Sequence, residues 1–196
     1  MAMTPTSARS DEAPSQRRTE RRWLPVFAVI AVIAVVTAGG RSVSRAIGDV
    51  GPSSLAVTAA VTVHPAPGWT SEGLPQPAGV RTALLTRGTA MLQVSVFPVE
   101  ARGPQDLLQA YLRDVLGGRY AQLTIGEAEA GTVGGVPAVR AGYLARTLDG
   151  VPIEGVVVAT MTPSGAAVIF DAAAPQGDLA GVADDVVTMI ESAELR

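Results

Sequence analysis

"GGVPAVRAGYLARTLDGVPIEGVVVATM", residues 134–161, decides the architecture. Val139, Ala141, Tyr143 and Ala145 recur every second residue, with Arg140 and Arg146 between and after them. A two-residue period is that of a strand, so the apolar set lies on one face and the two arginines on the other, wetter face. Asp149-Gly150 then separates this run, 136–147, from a second apolar run, 153–162. Asp-Gly between apolar runs is a hairpin signal, and a pair joined by so short a turn is antiparallel.

Further strands follow the same logic outward. A strand over 119–128 precedes the hairpin and one over 165–173 follows it. Towards the N-terminus, "VRTALLTRG" (80–88) and "AMLQVSVFPV" (90–99) read as a strand pair around Arg87-Gly88. Leu55, Val57, Ala59, Val61 and Val63 alternate with Ala56, Thr58, Ala60 and Thr62, which predicts one half-buried strand over 55–63. "HPAPGW" (64–69) ends it with two prolines and a glycine.

Two segments change to helical spacing. In "GPQDLLQAYLRDVLGG" (103–118), Leu107, Leu108, Tyr111, Leu112 and Val115 form one stripe, with Pro104 in the first turn and Gly117 as the stop. In "DLAGVADDVVTMIESAEL" (178–195), Leu179, Val182, Val186, Met189 and Ile190 form another, with Asp178 as candidate N-cap. The expected class is α+β: a meandering antiparallel sheet packed with two main helices over residues 55–196.

"VTVHPAPGW" (61–69), the mid-domain helix, "GGVPAVRAGY" (134–143), the hairpin and a last helix ending near "ESAEL" together resemble the PsbP-like fold. More narrowly, they resemble small exported or membrane-anchored bacterial domains of that fold, over residues 55–195. The resemblance implies an antiparallel sheet between helices and mostly non-catalytic roles as envelope or complex-accessory domains. It brings no catalytic motif, and the lipid-attachment cysteine of many exported relatives is missing.

The N-terminal quarter is of another kind. Residues 1–20 are Ser, Thr, Pro and charge, and read as a disordered cytoplasmic tail. Between Arg22 and Arg41 lie 18 residues without a charge, "WLPVFAVIAVIAVVTAGG". A helix of that length spans roughly 27 Å, close to the hydrocarbon thickness of a bilayer. Its apolar residues cover every helical face, arginines bracket both ends, and Trp23 stands where an interfacial aromatic belongs. A buried core helix of this kind would leave the flanking arginines in search of partners. Two readings remain open: a transmembrane helix over 21–41 contacting lipid through 23–40, or an export signal cleaved after Ala38 in "VTA". Both send the following linker (42–54) and domain (55–196) outside the cell, with the arginine-rich N-terminus inside.

Composition narrows the function. There are no cysteines, so disulfides and cysteine-ligated metals are excluded. Aromatics make up only 4% of the chain, so its core is built of Val, Leu, Ile and Ala. All 15 basic residues are arginine, and with the Gly, Pro, Ala and Val content this resembles GC-rich bacterial coding. Residues 1–22 hold five arginines against three acids, and the remainder ten against fifteen. An acidic domain is a poor nucleic-acid binder, because phosphate contact requires a basic face.

Candidate chemistry is sparse. His64 is the sole histidine, sits before Pro65, and no Gly-x-Ser-x-Gly elbow accompanies it, so it reads as a loop histidine. Glu127 and Glu129 share one strand face and could serve as paired carboxylates, but a solvated face is the expectation. Asp184-Asp185 reads as the exposed side of the last helix. Gly131, Gly134 and Gly135 lack the Gly-Lys-Ser/Thr of a phosphate loop and read as turn glycines. Trp69 is expected to pack in the core rather than line a pocket, and Arg140 and Arg146 to be solvated or ion-paired rather than to hold an anion. No catalytic, cofactor-binding or metal-ligating residue is assigned. The expectation is a non-catalytic, single-pass, membrane-anchored envelope domain that docks to a protein partner; the alternative is an extracytoplasmic module binding a small ligand near Trp69.

Overall fold

The computed structural model describes residues 54–72, 79–98 and 101–196. The tail, the apolar run and all but the last residue of the linker lie outside these residues. Among the described residues, no helix is long and apolar enough to cross a membrane.

Seven antiparallel strands form the main sheet, in the order β3(Thr70–Glu72)-β4(Arg81–Arg87)-β5(Ala90–Phe97)-β9(Ala167–Pro175)-β8(Pro152–Met161)-β7(Val136–Arg146)-β6(Gln122–Val133). A second sheet has the order β1(Leu55–Thr58)-β2(Val61–Val63)-β10(Glu194–Leu195). Helix α1 (Pro104–Tyr111) continues through a π-helical stretch, Leu112–Leu116, into a last turn, Gly117–Arg119. Helix α2 (Ala183–Glu191) follows a 3-10 turn, Leu179–Val182. The α+β class with an antiparallel sheet between helices is therefore what the chain adopts.

Alternation along the strands explains the layers. Leu92, Val94, Phe170, Ala172 and Val158 point to one side, where they meet α2 (Val186, Met189, Ile190) and β2 (Val61, Val63). Ile169, Ala173, Val157, Ala159, Ala141 and Tyr143 point to the other, where Leu107, Leu108, Tyr111, Val115 and Leu116 of the first helical segment cover them. β9 is buried along its length because both its faces are covered, which is why it reads as a continuous apolar run.

Several expectations need correction. The sheet is not one meander: α1 carries the chain from β5 to the far edge, and β6–β9 meander back until β9 pairs with β5. The single strand over 55–63 is a hairpin, β1–β2. The Thr58 hydroxyl accepts from the Ala60 amide and closes the turn, a local bond that alternation cannot reveal. Gly117 does not stop the first helix; it is helical, its amide bonds the Leu112 carbonyl, and the segment runs on to Arg119. β6 accordingly begins at Gln122 and extends to Val133, which places Gly131 in a strand rather than a turn. The last helix ends at Glu191, and residues 194–195 add β10 to β2 instead. Asp178 makes no capping bond; its carboxylate accepts from the Thr89 hydroxyl at 2.8 Å.

Candidate functional site

Among the described residues, the one buried carboxylate in the core is Asp171, in "AVIFDAAAP" of β9, with no exposed surface. Its neighbours on the strand are apolar, so the charge is held entirely by other elements. Oδ2 accepts from the Tyr111 hydroxyl at 2.8 Å and from Arg119 Nη1 at 2.9 Å, and Oδ1 accepts from the Tyr143 hydroxyl at 2.9 Å. The Tyr120 ring lies 6.0 Å from that of Tyr143, so all three tyrosines of the chain gather at this carboxylate.

Local structure brings them together. Tyr111 and Arg119 are eight residues apart, which a regular α-helix would separate by about 80° around its axis. The π-helical stretch between them takes an extra residue to close its turn and winds the register back. Both side chains then reach the same oxygen. Tyr143 lies on β7 and Asp171 on β9, with β8 between them. The residue opposite Tyr143 on β8 is Gly155, and the ring passes over it.

Electrostatics follow from burial. Desolvation, reinforced by the Asp171 charge, raises the Tyr111 and Tyr143 hydroxyls well above their ordinary range. Burial would lower Arg119, but Tyr111 and Asp171 outweigh it and the guanidinium stays firmly protonated. Beside this cluster, Gln93 stands opposite Asp171 on β5 and donates to Ser95 Oγ at 3.0 Å, while its buried Oε1 has no partner. The arrangement is a clasp. Tyr111 and Arg119 tie the first helical segment to β9, and Tyr143 ties β7 to β9 across β8.

The residues singled out from sequence are scattered by comparison. Trp69 is 2% exposed in the core, and its indole Nε1 donates to Asp185 at 3.1 Å. The same Asp185 carboxylate meets Arg87. Trp69 is therefore packing, as expected, whereas Asp185 is not merely a solvated helix face. His64 Nε2 lies 3.4 Å from Glu194, whose carboxylate is held below its ordinary range chiefly by Arg196. Glu129 binds Arg140 at 2.7 Å, and Glu127 lies at an irregularity of β6. Arg140 and Arg146 share an exposed face but do not converge, since Arg146 donates to the Gly150 carbonyl at 2.5 Å. Gly134 and Gly135 form the β6–β7 turn, and Gly134 presses so closely on Ala193 that a Cβ would stand 2.3 Å from its carbonyl oxygen. Among the described residues no cluster of His, Asp or Glu could hold a metal ion.

Sequence reading missed Asp171, Arg119 and the roles of Tyr111 and Tyr143. The available signal was a lone acid inside an apolar strand, since such a charge is rarely buried unpaired.

No protein-family model matches the chain, and no curated protein matches its sequence. Solved structures do match its shape. The solution structure of cyanobacterial PsbP (CyanoP) from Synechocystis sp. PCC 6803 superposes over 81% of this chain and 100% of its own, with a TM-score of 0.56 and 16% identity. The Ran-binding protein Mog1p from Saccharomyces cerevisiae covers 78% of this chain and 96% of its own, with a TM-score of 0.51 and 10% identity. LpqN, described as involved in cell envelope biogenesis of Mycobacterium tuberculosis, covers 69% and 91%, with a TM-score of 0.44 and 17% identity.

Proposed function

Starting from the PsbP-like fold, we propose that this chain is a non-catalytic accessory domain, tethered to the outer side of a bacterial plasma membrane by residues 23–40, that acts by docking to another envelope protein. The uncharged run from Trp23 to Gly40, bracketed by arginines, carries the membrane part of the reading. The clasp carries the non-catalytic part: the buried charged pair that would be the natural place for chemistry is fully spent on holding the helix to the sheet. Trp69, the proposed lining of a ligand pocket, is itself buried in the core, which weighs for the docking role over the ligand-binding one.

Flotation of membranes from cells producing the full chain tests the tether, and crosslinking from the outer domain tests the partner. The reading expects the chain to float with the membranes at full length and to form a discrete crosslinked species. A soluble chain beginning after Ala38, with no crosslinked neighbour, would contradict it.

A further inference from the structure

The β7–β8 hairpin ends in a tip, Thr147–Val151, that carries exposed apolar side chains in an otherwise polar turn. Leu148 is 82% exposed and Val151 is 44% exposed. The turn is tightly built rather than loose: Thr147 and Val151 bond through the Val151 carbonyl at 2.9 Å and the Thr147 hydroxyl at 3.0 Å. Arg146 clamps the Gly150 carbonyl from the strand below. Leu148 and Val151 together give the braced turn a small apolar tip.

Strand registers say which end of the domain this tip occupies. Pro152 pairs with Arg146, and the Gln176 amide bonds the Pro152 carbonyl, so the tip is at the C-terminal end of β9. Met91 pairs with Ala173, which puts the β4–β5 turn at Arg87–Ala90 on the same end. Thr70 pairs with Thr86 there, so the chain arrives at this end after β2. Leu55, where the domain begins, pairs with Val63 at the end of β2. The opposite end of β1 lies with the C-terminus, because Arg196 bonds Ala60 and Ser164 bonds Arg196. The chain therefore enters the domain at the end that bears Leu148 and Val151.

Only 14 residues separate Gly40 from Leu55, a reach of at most about 50 Å. Resting on the tether reading of residues 23–40, we propose that the β7–β8 tip contacts the lipid surface, with Leu148 and Val151 entering the interfacial layer beside the anchor. A short tether holds the tip at high effective concentration over the bilayer, so two apolar side chains suffice where a free domain would need many. Asp149, exposed between them, limits the tip to the headgroup region, and Arg146 stands at the level of lipid phosphates.

The chain has no cysteine, so single spin labels report cleanly. Full chain carrying Leu148→Cys, Ser164→Cys or Ile30→Cys is reconstituted into phosphatidylcholine/phosphatidylglycerol vesicles. Collision with oxygen, which favours lipid, and with an aqueous nickel chelate is then measured. The proposal expects an oxygen-to-nickel ratio at 148 at least threefold above that at 164, and its loss when Val151→Asp is added with the melting temperature unchanged. Equal ratios at 148 and 164 with Ile30 in lipid would overturn the proposal and leave the tether intact. An aqueous label at Ile30 would overturn the tether reading and this proposal with it.

Discussion

The ring of Tyr143 fills the space where Gly155 would carry a side chain: a Cβ at Gly155 would stand 2.3 Å from Tyr143 Cζ and 2.5 Å from its hydroxyl. The glycine lets a side chain on β7 cross β8 and reach the Asp171 carboxylate on β9. The buried charge, the missing side chain and the long aromatic arm form one solution to one problem.

Gly155→Ala should therefore destabilise the domain by about 2–4 kcal/mol, through overpacking and loss of the Tyr143–Asp171 bond. In a Tyr143→Leu background the same substitution should cost less, because the ring it displaces is gone, though the Ala172 carbonyl oxygen, 2.6 Å from the added Cβ, still opposes it. Chemical denaturation of the four-member cycle checks this; equal costs in both backgrounds would deny the relationship.

Asp171→Ala leaves Arg119 buried without its carboxylate and should cost about 3–5 kcal/mol. Adding Arg119→Met to it should recover part of that loss, since an apolar side chain no longer needs the partner. Urea midpoints of the single and double variants measure the recovery.

Stability should fall at alkaline pH. Tyr111 and Tyr143 are raised above the unfolded value of 10.0, so the folded state prefers their protonated forms. Their contribution is complete below pH 10 and is lost as pH rises past it, with a limiting slope of about 1.4 kcal/mol per pH unit for each tyrosine. Thermal melts from pH 8 to 12 should show this decline, and Tyr111→Phe/Tyr143→Phe should flatten it while lowering stability at neutral pH.

Trp69→Phe removes the indole donor to Asp185 and leaves part of the buried ring's volume unfilled. The expected loss is about 2–3 kcal/mol, the lost hydrogen bond adding to the cavity. Asp185→Ala should cost less, about 1–2 kcal/mol, because it unpairs the buried indole N–H while the half-exposed Arg87 turns to water.

What the sequence made legible was periodicity. The alternation of Val139, Ala141, Tyr143 and Ala145 and the Asp149-Gly150 turn fixed the hairpin, and the Leu107–Val115 stripe fixed the first helix. The turn at Ala59-Ala60 escaped because small residues on both sides continue the same alternation across it. The path of Arg119 escaped because a π-helical register cannot be read from a 3.6-residue period. The clasp escaped for a third reason. Tyr111 and Tyr143 count as apolar in any pattern, and only their shared acceptor, 60 and 28 residues away, shows their polar ends at work.

The most direct test of the membrane-tethered, outward-facing domain uses the cysteine-free chain in intact cells, with single cysteines at Ser7 or Ser164 and a membrane-impermeant maleimide. The account predicts labelling at 164 from outside and at 7 only after permeabilisation, with both chains of full length in the membrane fraction. Labelling at 7 in intact cells, or protection at 164, would contradict it.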